Sequence, residues 1–314
     1  MSTSKRTRSS SPAPSDSKKA RSLRPVRFLI FSDTHDAELP SNLPACDVLL
    51  HCGDLTEDGT PDAISKALTS IGSIEAELKL AIAGNHEISL DKAYYLAEGG
   101  SAEHVAVSLA LIPSSPTSVA AQHGITFLRE GTHTFALSSG ASFTLYASPF
   151  TPGSGTSAFQ YPSNEDRYNS ASDTPAWAMN VGTERTRIPN HVDIVMTHGP
   201  AQYVLDDTGD GRSAGCEHLR RAIVRVKPKL FCFGHVHRGY GAQILEFSEK
   251  GDEIVPAAKE WVGKNQAKKK GYAGLPPGSV EKLRDGRQTL AVNAAMEGEK
   301  GVLENAPWLV ELAL

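Results

Sequence analysis

Short apolar runs recur along the chain, and several of them end abruptly at a polar residue. Runs of about 4 to 8 residues rich in Val, Ile, Leu and Phe are typical of buried strands. They predict strands over residues 26–32, 47–52, 78–83, 125–129, 133–138, 142–147, 192–197, 230–233, 242–247, 289–293 and 308–312. The three strands over 125–147 follow one another at about ten-residue spacing, which is typical of a meander.

Helical spacing of apolar residues occurs in fewer places. Residues 61–74 begin with a proline and carry Ala63, Ile64, Leu68 and Ile71 at intervals near 3.6, which predicts a helix. A second helix is predicted over 216–226. Both predicted helices precede a strand, so the pattern favours a mixture of helices and strands in which several strands end at a chemically active group.

Three stretches show neither pattern. Residues 99–123 are small and polar, and they predict a mostly surface connection. Residues 148–190 are rich in Ser, Thr, Asn, Gly and Pro, and a loop of this length predicts a lid or binding loop, whose Trp177 would either stack on a base or pack. Residues 249–288 form an insertion predicted to carry a helix and a flexible, solvated basic loop with Lys268, Lys269 and Lys270.

Composition and charge divide the chain into two parts. The 314 residues are 39% hydrophobic and 22% charged, which is enough to bury one large core, and we expect a single domain over 25–314. Residues 1–24 carry seven Lys/Arg and one Asp, a charge of +6, which leaves 25 Lys/Arg against 35 Asp/Glu, or −10, for the rest of the net −4. The tail is predicted to be disordered, and the acidic body argues against nucleic-acid binding by the folded domain.

The tail also bears on location. Its clusters Lys5-Arg6 and Lys18-Lys19-Ala20-Arg21 resemble a bipartite nuclear import signal, and the alternative is a solvated tail without a receptor. The four cysteines are scattered and predict no disulfide framework, and no run reaches the roughly 18 apolar residues of a membrane span. We therefore expect an intracellular protein, cytoplasmic or nuclear, that does not bind a membrane. No pattern indicates an oligomeric state.

The polar residues that close five of the apolar runs are of one chemical type. The blocks are Asp33-Thr34-His35, Gly53-Asp54, Gly84-Asn85-His86-Glu87, His198-Gly199 and Gly234-His235-Val236-His237. Their candidate ligands are Asp33, His35, Asp54, Asn85, His198, His235 and His237. Oxygen and imidazole ligands in this number, with one carboxylate free to bridge, predict a site for two divalent metal ions such as Mn, Fe or Zn.

These blocks, in this order, resemble the calcineurin-like metallophosphoesterase superfamily, over residues 26 to about 240. The resemblance implies an α/β (α+β) fold of four layers, with two mixed β-sheets packed as a sandwich and helices outside. It also implies that Asp33, His35 and His237 hold one metal, that Asn85, His198 and His235 hold the other, and that Asp54 bridges them.

A finer resemblance is to the metallophosphoesterase-domain-containing (MPPED) branch. It is carried by Gly53-Asp54-Leu55-Thr56-Glu57, Ser148-Pro149-Phe150-Thr151-Pro152, His198-Gly199-Pro200 and Arg238-Gly239-Tyr240-Gly241. Some animal members of that branch have Gly in place of the first His of Gly-His-x-His. This chain has His235 there, which favours full metal binding.

The expected reaction is hydrolysis of a small phosphate ester, such as a cyclic nucleotide, by a hydroxide held between the metals. His86 is the predicted general acid, Glu57 its orienting partner and Tyr240 a substrate contact. The other histidines are expected to be structural: His51, His104, His123, His133, His191 and His218.

Other functions stay open at this point. One is a weakly active phosphate- or nucleotide-binding regulator or scaffold on the same fold. Another is a phosphoprotein phosphatase, disfavoured because Asp58 follows Glu57 where that branch has an Arg. A zinc amidohydrolase is a third and more distant alternative, since the Asn ligand and the order of the blocks do not resemble that chemistry.

Overall fold

A computed structural model of the chain describes residues 25–153, 157–248, 250, 253–255, 259–260, 263–275, 279, 283, 286–298 and 301–314. Its strands are β1 Val26–Phe31, β2 Val48–His51, β3 Leu78–Ala81, β4 Ile125–Phe127, β5 Gly131–Ala136, β6 Ser142–Ser148, β7 Thr151–Pro152, β8 Gln160–Tyr161, β9 Glu165–Asp166, β10 Met179–Asn180, β11 Ile194–Thr197, β12 Leu230–Phe233, β13 Gly241–Phe247, β14 Ile254–Val255, β15 Gln288–Asn293 and β16 Trp308–Leu312. Its helices are α1 Pro61–Gly72, α2 Lys92–Ala97, α3 Ala102–Leu111, α4 Val119–Gln122, α5 Glu217–Val226 and α6 Lys264–Lys270, with 3-10 turns at Ile88–Leu90 and His237–Gly239.

Two mixed sheets contain most of these strands. The first has the order β16-β1-β2-β3-β4, with β1 to β4 parallel and β16 antiparallel to β1. The second has the order β14-β13-β15-β12-β11-β6-β5, with a parallel centre of β15, β12, β11 and β6. Parallel neighbours bring their carboxyl ends to one edge, so each sheet presents one edge with several strand ends.

Alternation along the strands divides the core into layers. In β1, Phe28 and Ile30 face the second sheet in a central hydrophobic cluster, while Leu29 and Phe31 pack with α1, α3 and α4 on the other face. In β12, the alternate residue Phe231 packs against α5 in a third cluster. Helix, sheet, sheet and helix therefore form four layers, and the expected α/β sandwich is confirmed.

Most predicted elements are present with ends within a few residues of the prediction. The helix predicted over 61–74 is α1, whose N-terminus is capped by the Thr60 hydroxyl, which accepts from the Ala63 amide, with Pro61 as its first residue. The helix predicted over 216–226 is α5, where the Cys216 side chain accepts from Leu219 N.

Two predictions about the middle of the chain are wrong. Residues 99–123 are not a plain surface connection, because they form α3 and α4 and bury Val105, Ile112 and Ala120. The predicted meander is also wrong, since β4 pairs with β3 in the first sheet while β5 and β6 form a hairpin in the second. A short apolar run shows that a strand is buried, and it does not show which sheet the strand joins.

Residues 148–190 are more structured than a plain loop. They contain the short strands β7 to β10 and bury Tyr161, Asp166, Tyr168 and Ile188 against the second sheet and α5. Trp177 is 54% exposed and lies over the ring of His218, with centroids 5.1 Å apart. It packs on that buried histidine.

The insertion does contain a helix, α6, but the three lysines predicted to lie in a flexible loop form its last turn. The basic tail of residues 1–24 lies outside the described residues. None of the helices in the described part of the chain has the length and apolar composition that crossing a membrane requires.

Candidate metal centre

The seven candidate ligands come together where the carboxyl ends of the two sheets meet. Asp33 and His35 follow β1, Asp54 follows β2, Asn85 follows β3, His198 follows β11, and His235 and His237 follow β12. The two sheets are joined here by a backbone bridge between Ser32 and Ala295. Ligands contributed by both sheets therefore face one another.

Four of these residues have left-handed backbones, which non-glycine residues rarely adopt. The φ angles are 54° at Asp33, 42° at His35, 52° at Asp54 and 67° at His235. Each such residue costs of order 1–3 kcal/mol, and the cost is accepted where the surrounding structure determines it. The sharp turns direct these side chains away from their strands and into the space between the two sheets.

The first group consists of Asp33, His35 and His237, whose ligand atoms all lie within 4.8 Å of one another. His237 Nε2 is 3.3 Å from Asp33 Oδ1. The His235 backbone N–H donates to both Asp33 oxygens at 3.0 Å. Burial alone would raise the pKa of Asp33, but the contact with His237 and the charge of His198 lower it, so the carboxylate is ionised.

The second group consists of Asp54, His198 and His235, with Asn85 beside it. His198 Nδ1 is 2.9 Å from the Cys52 carbonyl, which can only accept, so Nδ1 carries a proton, and Nε2 is the nitrogen that can bind a cation once its own proton has left. That Nε2 is 2.9 Å from Asn85 Oδ1 and 3.2 Å from Asp54 Oδ2. Burial and the charge of His198 lower the pKa of His235 to about 4, which keeps its imidazole neutral.

Asp54 lies between the two groups. Its Oδ2 atom is 3.2 Å from His198 Nε2 in the second group and 3.9 Å from His35 Nε2 in the first. Burial lowers the pKa of His198, but the charge of Asp54 outweighs it and raises the pKa to about 9, which shows how strongly negative this position is.

The unsatisfied atoms of the site fit bound cations. His35 Nε2 has no hydrogen-bond partner among the described residues, and its Nδ1 has only the exposed Glu57 carboxylate at 3.0 Å, although the side chain of His35 is only 6% exposed. Ligand atoms that share one first-row cation lie about 2.0–2.3 Å from it and so about 3 to 4 Å apart. The separations of Asp33 from His237, of His198 from Asn85 and Asp54, and of Asp54 from His35 are 2.9 to 3.9 Å, and the other ligand atoms of each group lie within 4.8 Å of one another. The residues present can therefore hold two divalent cations, with Asp54 as the shared ligand.

His86 and Glu57 are in contact, but not through the predicted atoms. His86 Nδ1 donates to the Glu57 backbone carbonyl at 2.7 Å, which leaves His86 Nε2 free. The Glu57 carboxylate is 67% exposed and lies 3.0 Å from His35 Nδ1. Burial lowers the pKa of His86, but the charge of Asp54 and the Glu57 carbonyl outweigh it and raise the pKa above its usual value.

Tyr240 does not lie in the position expected of a substrate contact. It is 4% exposed, its hydroxyl donates to the Ala306 carbonyl at 2.7 Å, and its ring lies 5.9 Å from that of Trp308. The side chain belongs to the central core because the turn after His237 directs it inward. His51, expected to be structural, is also buried and contacts the Thr34 hydroxyl at 3.0 Å.

Two acidic residues of the site were not predicted. Glu87 is fully buried and accepts from the backbone N–H groups of Gly84, Asp54 and Thr56, so it ties the turn after β2 to the turn after β3. Burial and the charge of Asp54 raise the pKa of Glu87 to about 7. The sequence feature that could have identified Glu87 is its position at the end of the Gly84-Asn85-His86-Glu87 block.

The second is Glu297, whose carboxylate lies within 4 Å of both His35 and His237. No motif surrounds it in the sequence. It lines a groove of about 780 Å³ that leads to the candidate ligands His235 and His237 and that also contains Arg238 and Lys264. This groove gives a small molecule access to the first group.

Comparisons with known proteins agree with this geometry. The family model described as calcineurin-like phosphoesterase matches residues 26–239. A probable rhamnogalacturonate lyase C of Emericella nidulans is 31% identical over 87% of this chain and 23% of its own length. The human metallophosphoesterase domain-containing protein 1 is 32% identical over 69% of this chain and 62% of its own length. The Caenorhabditis elegans UPF0046 protein T07D4.2 is 28% identical over 69% of this chain and 52% of its own length. The chain thus spans less than two thirds of each relative, and the matches confirm the resemblance expected from the strand-end blocks.

Proposed function

The chain belongs to the calcineurin-like phosphoesterase family, and we propose that it is a phosphodiesterase that hydrolyses a small phosphate ester with the help of two divalent cations. The observation that carries the proposal is the position of Asp54. One of its oxygens faces a histidine of each ligand group, at 3.2 and 3.9 Å. A carboxylate shared in this way fits a two-metal centre better than two separate sites.

When bound, two such cations polarise a phosphoryl oxygen and lower the pKa of a bound water from about 15.7 towards 7. The chain's own residues hold the ligands in place without large rearrangement. The Cys52 carbonyl sets the tautomer of His198, and the His235 backbone N–H holds the Asp33 carboxylate. The site is therefore preorganised for charge that develops on the phosphate.

His86 supplies the proton for the leaving alcohol. The Glu57 carbonyl holds its Nδ1, so Nε2 is the nitrogen that faces outward and can donate. A raised pKa keeps a larger share of His86 protonated at neutral pH. Proton transfer by such a group contributes about 10² to 10⁴ in rate.

The groove favours a small ester as the substrate. Its volume of about 780 Å³ is that of a small-molecule site, and the acidic body offers little attraction to a nucleic acid. The lyase name of the Emericella nidulans relative belongs to a protein of which this chain matches 23%. Two cation groups around a shared carboxylate are the chemistry of phosphoester hydrolysis, and they favour that reaction here.

The test is hydrolysis of bis-p-nitrophenyl phosphate by the purified, Mn²⁺-loaded protein. We expect turnover by the wild type and a loss of at least about 100-fold in kcat for Asp54→Asn and for His86→Ala. His191→Ala is the matched control, since His191 is exposed and lies before β11, at the strand end opposite to His198. Its turnover should equal that of the wild type.

Other outcomes identify the alternatives. Unchanged turnover in both site variants would exclude the mechanism. Two tightly bound metals without turnover on this ester, on cyclic nucleotides or on phosphopeptides would support a phosphate-binding regulator. Turnover confined to phosphopeptides would support a phosphoprotein phosphatase.

A further inference from the structure

Glu297 reaches the site from a part of the chain that carries no ligand block. It follows β15, beyond residues 26–239 that match the family model. The backbone bridge of Ala295 with Ser32 and the hydrogen bond from Glu297 N to the Asp33 carbonyl, 3.2 Å, fix it beside β1. Its side chain is 16% exposed.

Both oxygens of Glu297 face histidines of the first group. Oε2 is 3.7 Å from His35 Nε2, and Oε1 is 3.8 Å from His237 Nδ1. Both separations are too long for hydrogen bonds. The separation of Oε2 from His35 Nε2 is, however, of the size expected for two ligands of one cation.

The two imidazoles present different nitrogens to this carboxylate. His237 directs Nε2 to Asp33, so its Nδ1 is the outer nitrogen, and Glu297 Oε1 lies 3.8 Å from it without a hydrogen bond. His35 directs Nε2 towards both Asp54 and Glu297, and that nitrogen has no hydrogen-bond partner among the described residues. Oε2 therefore lies on the side of the cation.

We propose that Glu297 is a further ligand residue of the first cation, and that its negative charge makes the centre select phosphodiesters over phosphomonoesters. The selectivity part rests on the proposed function. The ligand part rests on the positions of Glu297, His35 and His237 alone.

The charge balance gives the reason for the selectivity. Two divalent cations carry four positive charges, of which Asp33 and Asp54 neutralise two, and Glu297 neutralises a third. A phosphodiester carries one negative charge, while a phosphomonoester carries close to two at neutral pH because its second pKa is about 6. Lowering the positive charge of the centre weakens its attraction for the dianion more than for the monoanion.

Metal binding tests the ligand part without a turnover measurement. We expect Glu297→Gln to weaken Mn²⁺ binding at one of two sites by about 10 to 100-fold, measured by calorimetry and by metal analysis after gel filtration. Glu311→Gln is the matched control, because Glu311 is exposed and pairs with Arg27 at the start of β1, the strand end opposite to Asp33. Wild-type affinity in Glu297→Gln would overturn the ligand assignment.

The ratio of kcat/KM for bis-p-nitrophenyl phosphate to that for p-nitrophenyl phosphate tests the selectivity part. Glu297→Gln should lower this ratio at least about tenfold, while Glu311→Gln, outside the groove, leaves it unchanged. Glu297→Asp keeps the charge and shortens the side chain, so it should keep the ratio within about twofold while still weakening Mn²⁺ binding. An unchanged ratio in Glu297→Gln would overturn the charge argument.

The two proposals fail in different ways. A wild type that binds two Mn²⁺ and hydrolyses neither ester would contradict the proposed function, and the binding measurement would still decide whether Glu297 is a ligand. A wild type that hydrolyses the diester, with Glu297→Gln identical to it in affinity and ratio, would overturn this inference alone.

Discussion

The two ligand groups differ in burial and in how they are held. In the second group, the side chains of His198 and Asp54 are 0% and 3% exposed, and the Cys52 carbonyl and Asn85 hold the His198 ring. In the first group, Asp33 is equally buried, but the side chain of His237 is 28% exposed and His35 Nε2 has no hydrogen-bond partner among the described residues. The second group is held by hydrogen bonds within the fold, whereas in the first group a bound cation would supply the partner that His35 Nε2 lacks.

The accessible side of the centre indicates from where a substrate reaches it. The groove is lined by His237 and by Glu297, which faces the first group, and it reaches the second group only at His235, so we expect a substrate to approach mainly from the side of the first group. We expect a buried, hydrogen-bonded ligand group to release its cation more slowly than a ligand group that is accessible to solvent. The first group is accordingly the place where substrate selection and metal exchange are expected.

The largest expected effect comes from removing the first group. Asp33→Ala takes away a buried carboxylate that faces His237, and we expect it to lower turnover at least about 100-fold and to leave at most one metal per chain, with the fold retained. Metal analysis with circular dichroism checks this. Asp58→Ala, at an exposed position outside both groups, is the control. Retention of two metals per chain would contradict the assignment of Asp33.

A smaller effect distinguishes the two groups by stability. In metal-free protein, His198→Ala leaves the buried Asp54 without its cationic partner, and we expect a loss of about 3 kcal/mol in the free energy of unfolding. His237→Ala also removes a partner of a buried carboxylate, but Asp33 keeps the hydrogen bonds from the His235 backbone N–H, so the loss should be smaller, about 1 kcal/mol. Urea unfolding in the presence of a chelator measures both values. Equal losses would show that the second group is no more built into the fold than the first.

A pH-dependent effect concerns the residues that support the first group from behind. The Thr34 hydroxyl donates to the Leu55 carbonyl and so accepts from His51 Nε2, and burial lowers the pKa of His51 to about 3. The unfolded chain then binds more protons than the folded one below the usual histidine pKa of about 6.5, so this group makes stability fall as the pH drops from there towards 3.

The measurement is the free energy of unfolding at several pH values, again without metal. The wild type should lose up to about 1.4 kcal/mol per pH unit through His51 in this range, and His51→Gln should lack that part of the slope. His191→Gln, at an exposed position, serves as control. A slope in His51→Gln equal to that of the wild type would show that His51 is not held neutral.

Sequence reasoning identified the site better than the architecture around it. A ligand that directly follows an apolar run is a local feature, so Asp33, Asp54, Asn85, His198 and His235 could be found from strand ends alone. Helix α3 was missed because its large apolar residues, such as Val105, Val107 and Leu109, are spread around the helix and do not mark one face, and α4 is only four residues long. The sheet that β4 joins could not be predicted either, because pairing depends on contacts between distant strands.

The amino-acid sequence by itself determined the chemical type of this protein: buried strands that each end in a carboxylate, amide or imidazole. The tertiary structure decided which atoms of those residues are used, as in the Glu57 carbonyl that holds His86 and the Tyr240 ring that lies in the core. Only the tertiary structure places Glu297 next to His35 and His237. The physical reason is that strand alternation and turn residues act locally, whereas the approach of a side chain after β15 to one after β1 requires both sheets to pack.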